Sequence, residues 1–389
     1  MKVILFANTD WYLFNFRLPL ARALRDAGYE VLLLSPDGAY GPQMQAEGFR
    51  WQAFPLSRKG MNPLHELGTI FRLRRLYRAE QPDVVHHFTI KCVLYGSLAA
   101  HLSGVAKVIN GITGLGFMFS QRLLARVIRL FLMPVYRLAL RGTTTIFQNP
   151  DDIELFHRLR LLRKTEVHLV RGSGARTELF LPSPEPPGPP VVMMAGRFLW
   201  EKGVGEFVEA ARMLNNRTLN DSTLSLSKVT VSTGVAMSLS TLVRFVLVGD
   251  TYPDNPGAVS PGQLQSWVDE GLVEWWGWHD DMWNMFPQAH IVCLPSYREG
   301  MPLSLAEAAA CGRPVVTTDA PGCREIVQDG VNGFLVPVRD SVTLAEALRK
   351  LIEDPALRQE MGSRGRERAE TEFSARSIVQ ETLQVYNAN

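Results

Sequence analysis

The sequence contains no long apolar run and few cysteines. Its apolar stretches fall short of the roughly 18 residues that a helix needs to cross a bilayer. The cysteines are too scattered along the chain for a disulfide framework or a zinc site of the usual spacing; they are Cys92, Cys293, Cys311 and Cys323. The start, MKVILFANTDWYLF, has polar residues inside its apolar run and is more typical of a buried strand than of a secretory signal. We therefore expect a protein of the reducing cytoplasm.

Several motifs of nucleotide and metal chemistry are also missing. The segment after the first predicted strand, FANTDWYLF, lacks the G-x-G-x-x-G loop of nicotinamide-dependent oxidoreductases, and the chain has no P-loop of the G-x4-G-K-[ST] type. It has no Asp-x-Asp motif, and the pairs Asp151-Asp152 and Asp280-Asp281 are interpreted as helix caps. The sequence thus predicts no metal site and no cofactor.

Length and pattern predict two α/β domains. The 389 residues exceed what one core usually holds. Buried strand-like runs alternate with amphipathic helical runs, the first helix being predicted over 17–28, which indicates parallel sheets covered on both faces. The segment LPSPEPPGPP, residues 181–190, has six prolines and is the predicted linker. We expect two doubly wound domains, 1–180 and 191–370, that face a cleft, and a C-terminal helix over 371–389 that packs back on the first domain.

One segment departs from this alternation. Residues 215–241 hold 11 Ser and Thr among 27 positions, between a helix predicted over 203–214 and the next strand. Connections of this kind usually take two to six residues. The segment is predicted to be an insertion in an exposed loop, and the sequence assigns it no function.

The net charge of +2 conceals an asymmetry between the two halves. Residues 1–190 carry 24 Lys and Arg against 14 Asp and Glu, a net charge of +10, whereas the remainder carries 17 against 25, a net charge of −8. Residues 84–150 include seven cations and no acidic residue. Such a split indicates that the first half meets an anionic partner.

The most informative stretch is REGMPLSLAEAAACGRPVVTTDAPG, residues 298–322. Pro302 is suited to a first helical turn, so a helix is predicted from 302 to 311, ending at Gly312. Its first N–H groups, near 301–304, would form an anion site. Glu299 would lie at that mouth and Glu307 in the second turn, where carboxylates can accept hydrogen bonds from sugar hydroxyls. The spacing alone also allows a solvated pair of glutamates.

A second candidate is AGRFLWEKG, residues 195–203, directly after the first strand of the second half. Arg197 and Lys202 would stand at the carboxyl edge of the sheet. Two cations beside a helix start can hold a diphosphate and stabilise its charge as it leaves. A solvent-facing pair is the alternative, but together with the glutamates these cations favour a nucleotide-sugar site.

These segments, in this order, resemble the retaining family 4 glycosyltransferases, and the likeness covers nearly all of residues 191–370, including the family's E-x7-E spacing. The resemblance implies a GT-B fold and sugar transfer, with retention, from a nucleoside-diphosphate sugar. Arg197 and Lys202 would hold the donor diphosphate, Glu307 the ribose, and Glu299 the donor sugar. Further donor contacts are implied for Gly300, Met301, Pro302 and Leu303, and for Gly277 and Trp278 beside a uracil.

The first half is similar to bacterial members of that family that build lipid-linked oligosaccharides on undecaprenyl diphosphate. The similarity lies in NTDWYLFNFRLPLARALRDAGYEV, HHFTIKCVLYGSLAA and GITGLGFMF. Asp10-Trp11-Tyr12 replaces the relatives' Gly-Gly loop, and no histidine follows the fifth strand, so neither feature can be transferred. Candidate acceptor contacts in these segments are Asn15, Arg17, His86, Lys91 and Thr113.

Residues 121–142 carry five Arg and no acid. Arg122, Arg126 and Arg129 are three or four positions apart, which places them on one flank of a helix. Such a helix fits an anionic membrane surface, with residues 71–78 extending the basic patch; a core-packing helix is the alternative. We expect a peripheral enzyme of the inner face of the membrane that transfers a hexose or N-acetylhexosamine from a UDP-sugar to an undecaprenyl-diphosphate-linked saccharide, without nucleic-acid partners. A sugar-nucleotide epimerase or hydrolase and a non-catalytic binding subunit remain alternatives.

Overall fold

The computed structural model describes residues 1–57, 63–115, 123–226, 243–253 and 255–388. Within 63–64, 123–131 and 216–226 it describes the backbone alone. The chain forms two compact units. Unit 1 comprises Met1–Gly174 with Ala375–Asn389, and unit 2 comprises Ala175–Ser374.

Unit 1 contains a seven-stranded, fully parallel sheet with the order β3-β2-β1-β4-β5-β6-β7. Its strands are β1 Lys2–Phe6, β2 Glu30–Ser35, β3 Arg50–Ala53, β4 Val84–Phe88, β5 Lys107–Ile112, β6 Thr144–Phe147 and β7 Glu166–Leu169. Its helices are α1 Asp10–Tyr12, α2 Leu18–Asp26, α3 Gly41–Ala46, α4 Pro63–Glu80, α5 Ile90–His101, α6 Leu123–Leu140 and α7 Pro150–Arg158.

Unit 2 contains a six-stranded parallel sheet with the order β10-β9-β8-β11-β12-β13. The strands are β8 Val191–Ala195, β9 Arg244–Val248, β10 Glu274–Gly277, β11 Ile291–Leu294, β12 Val315–Thr318 and β13 Gly333–Val336. The helices are α8 Val204–Leu226, α9 Pro261–Asp269, α10 Met282–Met285, α11 Leu303–Ala310, α12 Ser341–Glu353 and α13 Pro355–Thr371. The chain then returns to unit 1 as α14 Ala375–Asn387. The prediction of two parallel-sheet α/β domains is confirmed.

The sheet of unit 1 is buried on both faces, as its continuous apolar strands predict. Side chains of β1 alternate between two clusters. Val3 and Leu5 pack with residues of α2 and α14, whereas Ile4 and Phe6 pack with residues of α4 and α5. Within the described residues, no helix has the length and apolarity that a membrane span requires.

The proline-rich segment 181–190 lies inside unit 2, and the two units divide at residues 174 and 175. Two buried arginines hold it there. Arg313 donates to Ser183 Oγ (2.8 Å) and to the carbonyl of Pro184 (3.1 Å), and Arg358 donates to both carboxylate oxygens of Glu185 (2.7 and 2.8 Å). Proline composition shows that the segment is irregular, but it does not reveal these contacts.

Two helix boundaries differ from the predicted ones. The first helical region begins at Asp10 rather than at 17, because the Thr9 hydroxyl caps it by accepting from Tyr12 N (3.1 Å), and a π-helical turn over Leu13–Arg17 leads into α2. Helix α8 continues to Leu226, into the Ser/Thr-rich segment predicted as a loop. The helical part of that segment, residues 215–226, contains no Gly or Pro, and Ser, Thr and Asn cost a helix only tenths of a kcal/mol each. Residues 227–242 lie outside the described residues.

We predict that Arg358→Met lowers the free energy of unfolding by about 1–3 kcal/mol, as expected when buried hydrogen-bonding groups lose their partner. Arg358 is 5% exposed, and it donates to the carbonyls of Leu351 and Ile352 as well as to Glu185. The control is Arg364→Met on the same helix, where the side chain is 57% exposed and pairs with Glu367 at 3.3 Å. The free energies of unfolding are measured with urea. Equal losses in the two variants would contradict this role of Arg358.

Candidate active site

The candidate residues of unit 2 lie at the carboxyl edge of its sheet. Strands β9 and β10 extend the sheet to one side of β8, and β11 to β13 extend it to the other, so the topology reverses between β8 and β11. Loops at such a reversal form the usual ligand site of an open α/β sheet. The loop after β8 carries Arg197 and Lys202, and the loop after β11 carries Glu299.

Backbone contacts fix these two loops against each other. Tyr297 N donates to the carbonyl of Glu201 (2.9 Å), and Ser296 Oγ donates to the same carbonyl (3.2 Å). Gly203 adopts φ +76°, and a Cβ there would lie 2.1 Å from the carbonyl oxygen of Pro295. Only glycine can adopt this conformation at this close approach, so Gly203 is required for the backbone of the loop that carries Lys202.

A third loop, after β12, supports Glu299. Glu299 N donates to the carbonyl of Pro321 at 2.9 Å. Gly322 has φ +80°, and a Cβ there would lie 2.5 Å from the carbonyl oxygens of Glu299 and Gly300. The glycine of the APG sequence is therefore needed for the close approach that positions the Glu299 backbone.

Lys202 and Glu299 form an ion pair between Nζ and Oε1. Their side chains are 18% and 12% exposed, so the pair is largely withdrawn from water. Arg197 is exposed, with its guanidinium carbon 5.8 Å from the ring centre of Tyr252 in the loop after β9. The two predicted diphosphate ligands thus have different surroundings: Lys202 is held by a carboxylate, and Arg197 rests near an aromatic ring.

Glu307 lies in the second turn of α11, as the sequence predicts. Burial raises the pKa of Glu307 to about 8, and the charge of Arg176 only partly offsets this effect. Hydroxyl donors would favour its ionised form.

Helix α11 begins without a side-chain cap at Pro302. The carbonyl of Pro302 accepts from Leu305 N (3.1 Å) and Ala306 N (3.3 Å), and the backbone from Gly300 to Leu303 precedes this turn. Gly300 and Pro302 are buried, whereas Met301 and Leu303 are partly exposed. The positive end of the helix dipole therefore lies beside Glu299, where the dipole favours an anion.

Gly277 and Trp278 lie at the end of β10, on the other side of the reversal. Gly277 accepts a hydrogen bond from Gly249 N (2.7 Å) and has φ +78°. Trp278 is 44% exposed and donates through Nε1 to Asp280 Oδ1 (3.1 Å). An exposed indole anchored at its edge can offer a stacking face to a planar ring.

Sequence reasoning missed Tyr297, which lies next to the Glu299 loop. Its hydroxyl donates to Glu206 Oε1 (2.6 Å), and the guanidinium carbon of Arg339 lies 4.7 Å from its ring centre. Burial, the hydrogen bond to Glu206 and the Glu206 charge raise the pKa of Tyr297 to about 12. Its place in SYREG, two residues before Glu299, is the only sequence signal for it, because Glu206 and Arg339 are distant along the chain.

In unit 1, three of the five candidate acceptor residues line one small cavity that opens to solvent. Arg17, His86 and Thr113 contribute to its wall, at the carboxyl ends of β4 and β5. Asn15 is not among the lining residues; its amide donates to the carbonyl of Trp11 (3.0 Å). Lys91 is also elsewhere and bonds to Glu66 Oε1 (2.8 Å) and the carbonyl of Ser57 (2.9 Å).

The neighbouring histidine, His87, has a structural environment. It is fully buried, with Nδ1 3.0 Å from Asn110 Oδ1 and Nε2 3.1 Å from the Tyr77 hydroxyl. Burial lowers the pKa of His87 to about 4. The two adjacent histidines point to opposite faces of β4, so only His86 reaches the cavity.

The remaining candidates are either outside the described residues or structural. Arg122 lies outside them, and for Arg126 and Arg129 the side chains do too, so the basic flank of α6 stays a prediction. Helix α7 is capped by Asn149, whose Oδ1 accepts from Asp152 N (2.9 Å); the predicted cap at Asp151-Asp152 was two to three residues too late. Among the described residues, no group of three or more His, Cys, Asp and Glu side chains is arranged to hold a metal ion.

Comparison with known proteins places both halves in glycosyltransferase families. Residues 2–150 match the family described as "Glycosyl transferase 4-like", and residues 189–354 match "Glycosyl transferases group 1".

Two curated relatives are named for reactions on lipid diphosphates. The N,N'-diacetylbacillosaminyl-diphospho-undecaprenol alpha-1,3-N-acetylgalactosaminyltransferase of Campylobacter jejuni is 26% identical, covering 100% of this chain and 98% of its own length. The UDP-Gal:alpha-D-GlcNAc-diphosphoundecaprenol alpha-1,3-galactosyltransferase of Escherichia coli is 23% identical, covering 77% and 74%. A solved structure of Anabaena Alr3699/HepE in complex with UDP-glucose shares the fold, with a TM-score of 0.75 and 20% identity over 100% of this chain and 99% of that one.

Because burial raises the pKa of Glu307 to about 8, we predict that this carboxyl makes stability fall as pH rises. Between the ordinary carboxyl pKa of 4.5 and about 8, the unfolded chain releases a proton that the folded chain retains. From pH 5.5 to 8.5, wild type should lose at least about 1.4 kcal/mol more than Glu307→Gln, the equivalent of one pKa unit. Urea unfolding at both pH values measures this, with the exposed Glu346→Gln as control. Parallel losses in wild type and Glu307→Gln would disprove it.

Proposed function

Since the chain is a glycosyltransferase of the GT-B fold, we propose that it moves a hexose or N-acetylhexosamine from a UDP-sugar to a saccharide on a polyprenyl diphosphate, with retention at the anomeric carbon. The Lys202–Glu299 pair carries this proposal. In this pair a cation and a carboxylate lie side by side at the reversal of the sheet, next to the start of α11. Glu299 precedes Glu307 by eight residues.

Each charged group has a distinct task in the proposed reaction. Lys202, Arg197 and the first turn of α11 stabilise the negative charge on the departing diphosphate. Glu299, already turned towards Lys202, accepts hydrogen bonds from hydroxyls of the donor sugar. Glu307 accepts from the ribose, and the donor hydroxyls shift it to its ionised form. The uracil stacks on Trp278, the exposed indole after β10.

The group transfer needs no side chain as base in this proposal. The acceptor hydroxyl oxygen forms a bond to the anomeric carbon while the bond from that carbon to the diphosphate oxygen breaks. The hydroxyl proton passes to a diphosphate oxygen on the same face of the sugar, which yields the nucleoside diphosphate and the retained glycoside. Metal-independent stabilisation of the leaving group by Lys202 and Arg197 is part of the proposal.

The acceptor assignment rests on the similarity to the two undecaprenyl-diphosphate enzymes and on the basic character of the first half. A polyprenyl-linked acceptor implies that the enzyme acts at the cytoplasmic surface of the membrane. Helix α4 has an exposed stripe suited to that surface, since Leu67 and Phe71 are 51% and 58% exposed and Arg75 and Arg78 follow on the same side. Apolar side chains beside arginines favour an anionic lipid interface.

We expect the protein to transfer sugar from one or more UDP-sugars to a short polyprenyl-diphosphate-linked saccharide. Lys202→Met should lower kcat about 100-fold with a smaller change in donor KM, because the lysine stabilises the charge of the leaving diphosphate. Lys202→Arg should recover part of the loss because it keeps the charge. Lys350→Met removes an exposed lysine of unit 2 and should leave kcat unchanged. A product assay with each labelled UDP-sugar measures this, and the anomeric configuration of the product tests retention.

Three outcomes would contradict the proposed reaction. Donor hydrolysis or epimerisation without a glycosylated acceptor would favour the epimerase or hydrolase alternative. Donor binding without turnover on any acceptor would favour a binding subunit. An unchanged kcat for Lys202→Met would remove that lysine from the leaving-group site.

For the membrane surface, we predict that the double variant Arg75→Glu, Arg78→Glu binds anionic liposomes with about thirtyfold lower affinity, measured by sedimentation. Each cation near such a surface contributes roughly 1 kcal/mol, and charge reversal removes at least that. The matched control is Arg158→Glu with Arg160→Glu, which changes the same charge at exposed positions of unit 1. Equal binding by both double variants would show that α4 does not face lipid.

A further inference from the structure

The cavity in unit 1 is lined by two residues with buried nitrogen atoms that have no hydrogen-bond partner among the described residues. These atoms are Nε of Arg17 and Nε2 of His86. Both residues line the cavity, and they are 7% and 1% exposed. A buried polar atom without a partner costs about 1–3 kcal/mol, which a ligand in the cavity would recover.

Arg17 is a buried cation without an acid. Its guanidinium donates to the Tyr12 hydroxyl (2.7 Å), and its central carbon lies 4.4 Å from the ring centre of Phe88 and 5.4 Å from that of Tyr12. No carboxylate among the described residues pairs with it, and no acidic side chain lines the cavity. Aromatic faces compensate only part of the cost of burying a charge, so the site favours an anion.

The partner of His86 determines which ring nitrogen carries the proton. Nδ1 lies 2.9 Å from the hydroxyl of Tyr386, on helix α14. That phenol is 4% exposed, and in the part of the chain that the structure describes its hydroxyl has one hydrogen-bond partner, His86, so the phenol proton is satisfied when Nδ1 accepts it. The ring proton then lies on Nε2. Burial, the Arg17 charge and His87 hold the pKa of His86 well below its usual range, so the ring is neutral and presents Nε2–H as a donor.

Gly111 lies against the rings of His86 and Phe88. A Cβ on Gly111 would lie 3.5 Å from His86 Nε2 and 3.0 Å from the Phe88 ring. The cavity is also lined by Thr113, Gln148 and Thr382, whose side chains add neutral hydrogen-bonding groups. The residues that line the cavity therefore supply one positive charge and neutral hydrogen-bonding groups, and they supply no negative charge.

We propose that the Arg17–His86 cavity is an oxyanion receptor that binds a phosphate of the diphosphate-linked acceptor. This assignment rests on the proposed function for the source of the phosphate, but the oxyanion chemistry rests on the cavity alone. Arg17 supplies the positive charge and Nε–H, and His86 supplies Nε2–H. Tyr386 acts as a positioning residue, because its hydroxyl fixes the tautomer of His86.

The first test is direct binding of inorganic diphosphate to the full chain saturated with UDP, measured by calorimetry. Wild type should bind, and Arg17→Met should weaken binding at least tenfold, as expected for a charge-assisted hydrogen bond. Gly111→Ala should also weaken it, since its Cβ enters the cavity without changing any charge. Arg22→Met is the matched control, because it removes an exposed arginine of α2 that pairs with Glu47 (2.7 Å).

Histidine side-chain nitrogen NMR tests the geometry independently of activity. The free protein should show His86 protonated on Nε2, and that resonance should move on addition of inorganic diphosphate. Tyr386→Phe should shift His86 towards a mixture of tautomers while retaining the fold. Wild type that binds no diphosphate, or binding equal in wild type and in folded Arg17→Met, would overturn the oxyanion site.

The source of the phosphate is tested by transfer kinetics. Arg17→Met should raise the KM for a diphosphate-linked acceptor at least tenfold and leave the donor KM and the KM for a phosphate-free alkyl glycoside of the same sugar unchanged. An equal rise in KM for both acceptors would overturn the assignment of the cavity to the acceptor phosphate. The cavity would then be a site for free phosphate only. If the chain uses no lipid-linked acceptor but still binds diphosphate through Arg17, the proposed function fails and the oxyanion site stands.

Discussion

Parallel strands buried on both faces are the constraint from which the candidate sites follow. Such sheets leave no free face for a ligand, so polar chemistry is confined to loops at the carboxyl edge, where the order of strands reverses. In unit 2 the reversal lies between β8 and β11 and holds Lys202 and Glu299. In unit 1 it lies between β1 and β4, close to Arg17 and His86. One topological rule thus accounts for the position of the proposed donor site and of the proposed oxyanion cavity.

The sequence predicted most of what depends on local pattern. Alternating apolar runs indicated two parallel-sheet domains, and the proline and glycine around LSLAEAAAC indicated α11 to within one residue at either end. Contacts between distant segments could not be read from it. The Lys202–Glu299 pair joins residues 97 positions apart, and the His86–Tyr386 bond joins residues 300 apart. The proline-rich segment was mistaken for a linker for the same reason, because Arg313 and Arg358 hold it from far along the chain.

Close backbone approaches give the donor-side loops their geometry. Gly203 faces the carbonyl of Pro295, Gly249 faces that of Gly196 with its Cβ position 2.0 Å away, and Gly322 faces Glu299 and Gly300. Each contact ties one loop to the next around the reversal of the sheet. The ion pair therefore rests on a preorganised backbone, and electrostatic stabilisation of a leaving group is strongest when the charges need no rearrangement.

Unit 1 is discontinuous in the chain: it opens at Met1, is interrupted by all of unit 2, and is completed by α14. Ala175, where unit 2 begins, donates to the carbonyl of Phe373, so the exit and the return of the chain are adjacent. During synthesis the first 174 residues leave the ribosome without Ile378, Val385 and Tyr386, which complete one face of their core. The whole second domain has time to fold before the first can close. A chain that ends before α14 thus lacks Thr382 and Tyr386 and cannot complete the Arg17–His86 cavity.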